Sequence, residues 1–248
     1  LGSIGWLSMC SRPDLRYAHS RISQHLAKPT LAVMRAAIQA VRYAYYTKHL
    51  VIEQKYTQTQ SEWRCYSDSD HAGNAEIQNK RRSQVSYIIM NGTAPISWAS
   101  KASSVQLYDK CFGETPRAHS RIPEMHADLS SAASEIYAAA VATYEVLHMQ
   151  YICRDCGIEY PLDSPIPLLI DNTTCIAFAK DSIQRSKLRQ IDCSMEWVIT
   201  LRDAKIVTPA YVKTDSQLAD IGTKILEPQK FNLNGLRERL FKLIERPM

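Results

Sequence analysis

Two apolar runs, Gln84 to Met90 and Pro95 to Ser100, stand either side of Asn91-Gly92 and restrict this chain more than any other feature. Asn-Gly between β-type runs favours a tight hairpin, because both residues accept positive φ at little cost. A third run, Trp63 to Ser67, precedes them, so the three predict an antiparallel meander. After the meander the hydrophobic period changes. An alanine-rich helical pattern covers about Ser131 to Cys153, followed by strand Ile166 to Ile170, helix Thr173 to Lys180 and helix Leu188 to Asp203. Strand Ile206 to Val212 and a final helix from Asp215 to Ile225 complete the series. A meander followed by alternating helices and strands predicts an α/β fold, a mixed five-stranded sheet with helices packed on it.

The chain upstream of Trp63 has a different character. From Arg12 to Lys48 the period is helical: Pro29-Thr30 opens a long helix in which Val33, Ala37, Ile38, Val41 and Tyr45 recur at three- and four-residue steps. The polar stretch Tyr56 to Glu62 reads as a linker. We therefore expect a helical segment over residues 1–60, a sheet domain over 61–226 and a helical tail over 227–248. The spacing of Tyr43, Tyr45 and Tyr46 fits packing against the second part as well as it fits base stacking, and core packing is the expectation.

With 248 residues and 45% apolar content the chain can bury a core. No window of about 18 apolar residues exists and the N-terminus lacks a signal-peptide pattern, so no membrane role is expected. Seven cysteines, an odd number scattered through apolar segments, point to an intracellular, reducing compartment. Cys153 and Cys156 have CxxC spacing but no second pair, so they read as ordinary thiols. A net charge of +5 permits a polyanionic partner without requiring one.

Four acids fall into a pattern. Asp68 ends the first strand, Asp171 ends the fourth, Glu135 lies in the first turns of the long helix, and Asp220 sits inside the last one. Each has an ordinary reading alone: Asp171 as a helix cap, Glu135 as a helix-dipole partner, Asp220 as a surface acid beyond a capping box of Thr214 and Gln217. In α/β sheets, however, functional groups cluster at the carboxyl ends of strands. If the first and fourth strands are neighbours, Asp68 and Asp171 lie side by side and repel unless a cation compensates. Converging carboxylates suit magnesium, and paired ions about 4 Å apart activate a water and stabilise the leaving oxygen in phosphodiester hydrolysis.

At these residues the chain resembles a known family. CYSDSDHAG at Cys65 to Gly73, PISWASK at Pro95 to Lys101, LSSAASEIYAA at Leu129 to Ala139, LLIDNTTCIAFAK at Leu168 to Lys180 and VKTDSQLADIGTKIL at Val212 to Leu226 look like the ribonuclease H domain of copia-type LTR retrotransposon polyproteins. The start, LGSIGWLSMCSRPDLRYAHSRIS, together with VRYAYYTK, looks like the segment after the polymerase palm in the same polyproteins. The resemblance implies a ribonuclease H-like fold preceded by a small helical segment. It also implies cleavage of the RNA strand of RNA–DNA hybrids, with Asp68, Glu135, Asp171 and Asp220 as catalytic metal ligands. Asp70 is the alternative to Asp68 in the first motif. Two Mg2+ ions are expected, with Mn2+ able to substitute. Lys80, Arg81, Arg82, Lys101, Lys187 and Arg189 are candidates for phosphate contact, and the partner is a hybrid or a structured RNA. The sequence departs from the family at Ala133, where a first glutamate of the helix motif is usual, and in a long insertion near 102–129. The alternative is a catalytically silent, domesticated fragment serving as a structural or RNA-binding subunit, with other protein subunits, in a ribonucleoprotein complex.

Overall fold

The structure, a computed structural model, describes residues 1–54, 62–70, 83–103, 131–158, 164–180, 192–232 and 235–243. Its helices are α1 (Gly2–Cys10), α2 (Arg16–Ser23), α3 (Leu31–Tyr46), α4 (Ser131–Asp155), α5 (Thr173–Ala179), α6 (Asp192–Asp203) and α7 (Pro228–Asn232). The strands are β1 (Leu50–Val51), β2 (Trp63–Asp70), β3 (Gln84–Asn91), β4 (Ala94–Ala102), β5 (Ile166–Ile170), β6 (Val207–Tyr211) and β7 (Lys242–Leu243). Five of them form a mixed sheet in the order β4-β3-β2-β5-β6. β2, β3 and β4 make the expected meander, and β5 and β6 run parallel to β2. This is the mixed five-stranded sheet with flanking helices that the sequence predicts.

The hairpin turn sits one residue later than Asn-Gly predicts. Asn91 pairs with Ala94 as the last rung, and Gly92 alone takes positive φ, +59°. A two-residue loop with glycine first matches the twist of the strands it joins.

Side chains alternate across β2, and both faces are covered. Trp63 and Cys65 face a core with Ile136, Ala139, Ala140 and Val146 of α4, Phe178 of α5 and Val198 of α6. Tyr66 faces a second core with Leu218, Ile221, Leu236, Leu240 and Phe241. The alanines of α4 let its backbone lie close to the sheet, which accounts for their density in this segment.

The N-terminal helices pack on this same sheet. Trp98 Nε1 donates to the Ser8 carbonyl at 2.6 Å, and Gln84 Nε2 donates to Ser20 Oγ at 2.9 Å. Thr30 caps α3, its Oγ1 accepting from the Val33 amide. A buried knot closes the segment: Arg12 holds Asp14 through two hydrogen bonds of 2.8–2.9 Å, and Tyr43 OH donates to Asp14 at 2.6 Å.

Several local expectations need correction. The final helix over Asp215–Ile225 does not form; Thr214–Ser216 and Leu218–Gly222 are two short 3-10 turns. Within the tail, β7 pairs antiparallel with β1, a two-residue contact too short to leave a period in the sequence. Only part of the predicted apolar face of α3 is covered. Val33 and Ala37 pack against the Ile4, Ile22 and Ala40 cluster, whereas Ile38, Val41 and Tyr45 are exposed. Tyr43 is packed as expected, but Tyr45 and Tyr46 are not. The Tyr56 to Glu62 linker, apart from Glu62, and the insertion from 104 to 129 lie outside the described residues.

Candidate metal centre

The register explains why two strands deliver their acids to one place. β2 and β5 pair with Tyr66 opposite Leu169. Two residues further along each parallel strand stand Asp68 and Asp171, so strand pairing alone sets them side by side. Asp68 was expected to end its strand, but β2 continues to Asp70.

Asp171 is not the cap of α5. Asn172 does that work, its Oδ1 accepting from the Thr174 and Cys175 amides at 3.0 and 3.1 Å. Asp220 arrives on the turn Leu218–Gly222, which packs on β2 and β3. Gly222 makes that approach possible, because a Cβ there would stand 2.1 Å from Ser86 Oγ.

Among the described residues, one group of possible metal-ligating side chains converges. Asp68, Asp171 and Asp220 each offer an oxygen within 4.8 Å of the others. Asp68 and Asp220 are buried and Asp171 is half-buried, so the trio opens on the Asp171 side. Glu135 stands beside this trio rather than inside it. It is buried, the Ser69 backbone hydrogen-bonds to it, and its Oε2 has no hydrogen-bond partner among the described residues. Ser69 Oγ donates to Ser134 Oγ at 2.8 Å and fixes the start of α4 against β2. Residues two apart on a helix point about 200° away from each other, so with Glu135 turned to the acids Ala133 faces elsewhere.

Burial, then the Asp220 charge, pushes the Asp68 carboxyl up to about 7, although Lys224 and Thr223 favour its ionised form. Burial, then Asp68 and Asp171, pushes Glu135 up to about 9. Acids crowded in this way await positive charge.

Two lysines supply part of that charge. Lys224 Nζ lies 2.7 Å from Asp220 Oδ1 and 3.8 Å from Asp68 Oδ2, and Lys230 Nζ lies 2.7 Å from Asp220 Oδ2. Thr223 Oγ1 donates to Asp68 Oδ2. The donor set is carboxylate oxygen throughout, and the orphaned oxygen of Glu135 adds one more, so these residues fit a hard divalent cation.

Gln217 is the functional-site residue that sequence reasoning missed. Instead of joining Thr214 in a capping box, it is fully buried, and its Nε2 donates to the Ser67 carbonyl at 3.0 Å and the Leu169 carbonyl at 3.4 Å. Its Oε1 accepts from the Ala219 amide at 3.3 Å. One side chain thereby links the three segments that carry Asp68, Asp171 and Asp220. No local signal marks it, because its partners are up to 150 positions away. Lys224 was missed as well, although its place four residues after Asp220 is the spacing of an i,i+4 pair.

Of the predicted phosphate contacts, Lys101 is described and exposed; Lys80, Arg81, Arg82, Lys187 and Arg189 lie outside the described residues. Lys101 pairs with Val85, and Val85 with Ser69. It therefore lies on the rung beside the acids, two strand spacings or about 10 Å across the sheet. Beside it, on the α4 side, a groove of about 440 Å3 is lined by Tyr137, Tyr144 and Trp197, the last two stacked at 4.2 Å.

Among the described residues no helix is long and apolar enough to cross a membrane. No protein-family model matches the chain. The chain is 23% identical, over 94% of its length, to the retrovirus-related Pol polyprotein from transposon TNT 1-94 of Nicotiana tabacum. It is 27% identical over 93% of its length to the corresponding polyprotein from transposon RE1 of Arabidopsis thaliana. It spans 14–15% of these relatives' own length. Among solved structures, the N-terminal ribonuclease H domain of a Mycobacterium tuberculosis protein aligns over 66% of this chain and 91% of that one, with 8% identity and a TM-score of 0.42. Ribonuclease H1 of Halobacterium salinarum aligns over 65% and 94%, with 11% identity and a TM-score of 0.41. Matches that run through nearly the whole chain make it a homologue of the copia-type retrovirus-related Pol polyproteins of transposons.

Proposed function

We propose that this chain is a ribonuclease H-type nuclease that cuts the RNA strand of RNA–DNA hybrids with magnesium. The observation that carries the proposal is the convergence of Asp68, Asp171 and Asp220 within 4.8 Å, with the buried carboxyl of Glu135 alongside. These four side chains would hold the metal. When bound, magnesium activates the attacking water and stabilises the departing 3′ oxygen. Asp171, half-buried where Asp68 and Asp220 are buried, is the acid nearest an incoming substrate. Glu135 keeps a proton near neutrality until added positive charge favours its release. Lys101, exposed on the rung next to that of Asp68, would meet a backbone phosphate, a contact that fixes register without reading sequence. The ribose 2′-hydroxyls of an A-like minor groove would distinguish RNA from DNA.

The test is cleavage of an end-labelled RNA–DNA hybrid by the purified chain with Mg2+ or Mn2+, beside Asp171→Asn. Cleavage that needs metal and disappears in the variant is expected. Folded protein that cleaves nothing with either ion sinks the proposal.

One observation favours a second reading. Lys224 and Lys230 already engage both carboxylate oxygens of Asp220, the place where charge compensation by a metal is wanted. A silent relic that uses the fold as a structural or RNA-binding subunit would keep such internal pairing. Metal titration separates the two, because a relic closed by its own lysines binds neither ion.

A further inference from the structure

The helix α3 carries a second apolar stripe beside its packed one. Leu31, Met34, Ile38, Val41 and Tyr45 are spaced 3-4-3-4 and are 78%, 52%, 50%, 54% and 63% exposed. That spacing is the a/d seam by which one helix inserts its side chains into another. The helix is held in place independently of the seam, through Val33, Ala37 and Ala40 on its other flank. The acidic end of the sheet is not involved, so the seam stands or fails separately from the cleavage reading.

Charge identifies the chemistry of what covers it. Arg35 and Arg42 follow Met34 and Val41 by one residue, are exposed, and form no ion pair among the described residues. Lys48 extends the row, its Nζ 4.8 Å from the Tyr45 ring. Between Asp14 and Glu53 the chain has Arg16, Arg21, Lys28, Arg35, Arg42 and Lys48 and no acid at all. A second copy laid antiparallel would set arginine against arginine. Phosphates have no use for an aliphatic seam of Leu31, Met34, Ile38 and Val41, which argues against nucleic acid as the occupant.

We infer that α3 docks an amphipathic helix of a partner protein, one with its own a/d apolar seam and glutamate or aspartate at the positions flanking it. The apolar seam supplies affinity, and the Arg35 and Arg42 row sets partner choice and orientation. The knob residues are exposed in this chain, so replacing them does not disturb its core.

The probe is a synthetic three-heptad helix with Leu and Ile at a and d and Glu at the flanking positions, titrated onto the full chain by fluorescence anisotropy. A second probe carries Lys in place of Glu. Binding of the first, weaker by roughly tenfold for the second, is expected. The double variant Ile38→Glu, Val41→Glu should lose binding by about thirtyfold or more. Arg35→Glu with Arg42→Glu should reverse the preference between the two probes, which general stickiness cannot do. Equal binding of both probes, or binding that the seam variant leaves intact, overturns the inference. So does dimerisation of the free chain that Ile38→Glu abolishes, which would make the occupant a second copy. Partition onto phosphatidylserine vesicles through the same residues, or displacement of the probe by an RNA–DNA hybrid, would assign the face to a membrane or a nucleic acid instead.

Discussion

Replacing Gln217 by leucine isolates what its amide contributes, because the volume is kept and the hydrogen bonds are lost. The side chain is fully buried and makes one well-formed bond, to the Ser67 carbonyl at 3.0 Å, and two longer ones, to the Leu169 carbonyl and the Ala219 amide. A buried neutral hydrogen bond is worth about 1 kcal/mol net, and an orphaned buried group costs about 1–3 kcal/mol. The longer bonds add little, so the substitution should cost about 2–3 kcal/mol. In a chain of this size that lowers Tm by roughly 4–12 °C. The larger consequence is geometric. Once the strand ends and the Asp220 turn are no longer joined, the trio spreads, and losing a group that orients metal ligands weakens metal binding by roughly 10- to 100-fold. Urea unfolding measures the first effect and calorimetric titration with Mg2+ or Mn2+ the second. A Gln217→Leu protein that is destabilised but binds metal with unchanged affinity would refute the positioning argument, leaving Gln217 as a packing residue. Unchanged stability would refute the hydrogen-bond argument too.

Other perturbations test other links. Burial raises the Asp68 and Glu135 carboxyls to about 7 and about 9. Folded metal-free protein then holds protons that the unfolded chain releases above about pH 4, so the contribution of these two groups to stability is full below that pH and is lost as pH rises through both values. Urea midpoints across this window should decline less steeply in Glu135→Gln, and equal slopes would contradict the assignment. Asp14→Ala leaves Arg12 buried without its carboxylate partner and should cost about 3–5 kcal/mol by urea unfolding. Gly222→Ala puts a Cβ 2.1 Å from Ser86 Oγ and 2.8 Å from Ser86 Cβ; the turn must move, at about 1–3 kcal/mol, with weaker metal binding in the same calorimetric titration. Lys224→Met removes a cation 2.7 Å from Asp220 and should tighten Mg2+ binding, whereas an unchanged affinity would mean that Lys224 does not compete for the site.

The five-stranded sheet and its acids were legible because each rested on a local pattern with a tertiary consequence. β5 was read to the residue, Ile166–Ile170, since an apolar run ending in Asp171-Asn172 leaves few choices of boundary. What was not legible lay where long-range contacts outvote local preference. The sequence Asp215–Ile225 has helical periodicity, yet Gln217 turns inward to bind β2 and β5, and Gly222 presses on Ser86, so a continuous helix cannot be drawn through both contacts. Asp220 still reaches the acids, by a tight turn instead of a helix face. α3 shows the complementary limit. Its sequence records that Leu31, Met34, Ile38, Val41 and Tyr45 form a stripe, but periodicity says only that an apolar surface exists, not what buries it. The chain's own core uses the neighbouring Val33, Ala37 and Ala40 stripe, which is why two apolar faces were read as one. The surplus stripe keeps its regular spacing although it stays at least half exposed among the described residues, and a contact outside the fold is the physical reason it would have one.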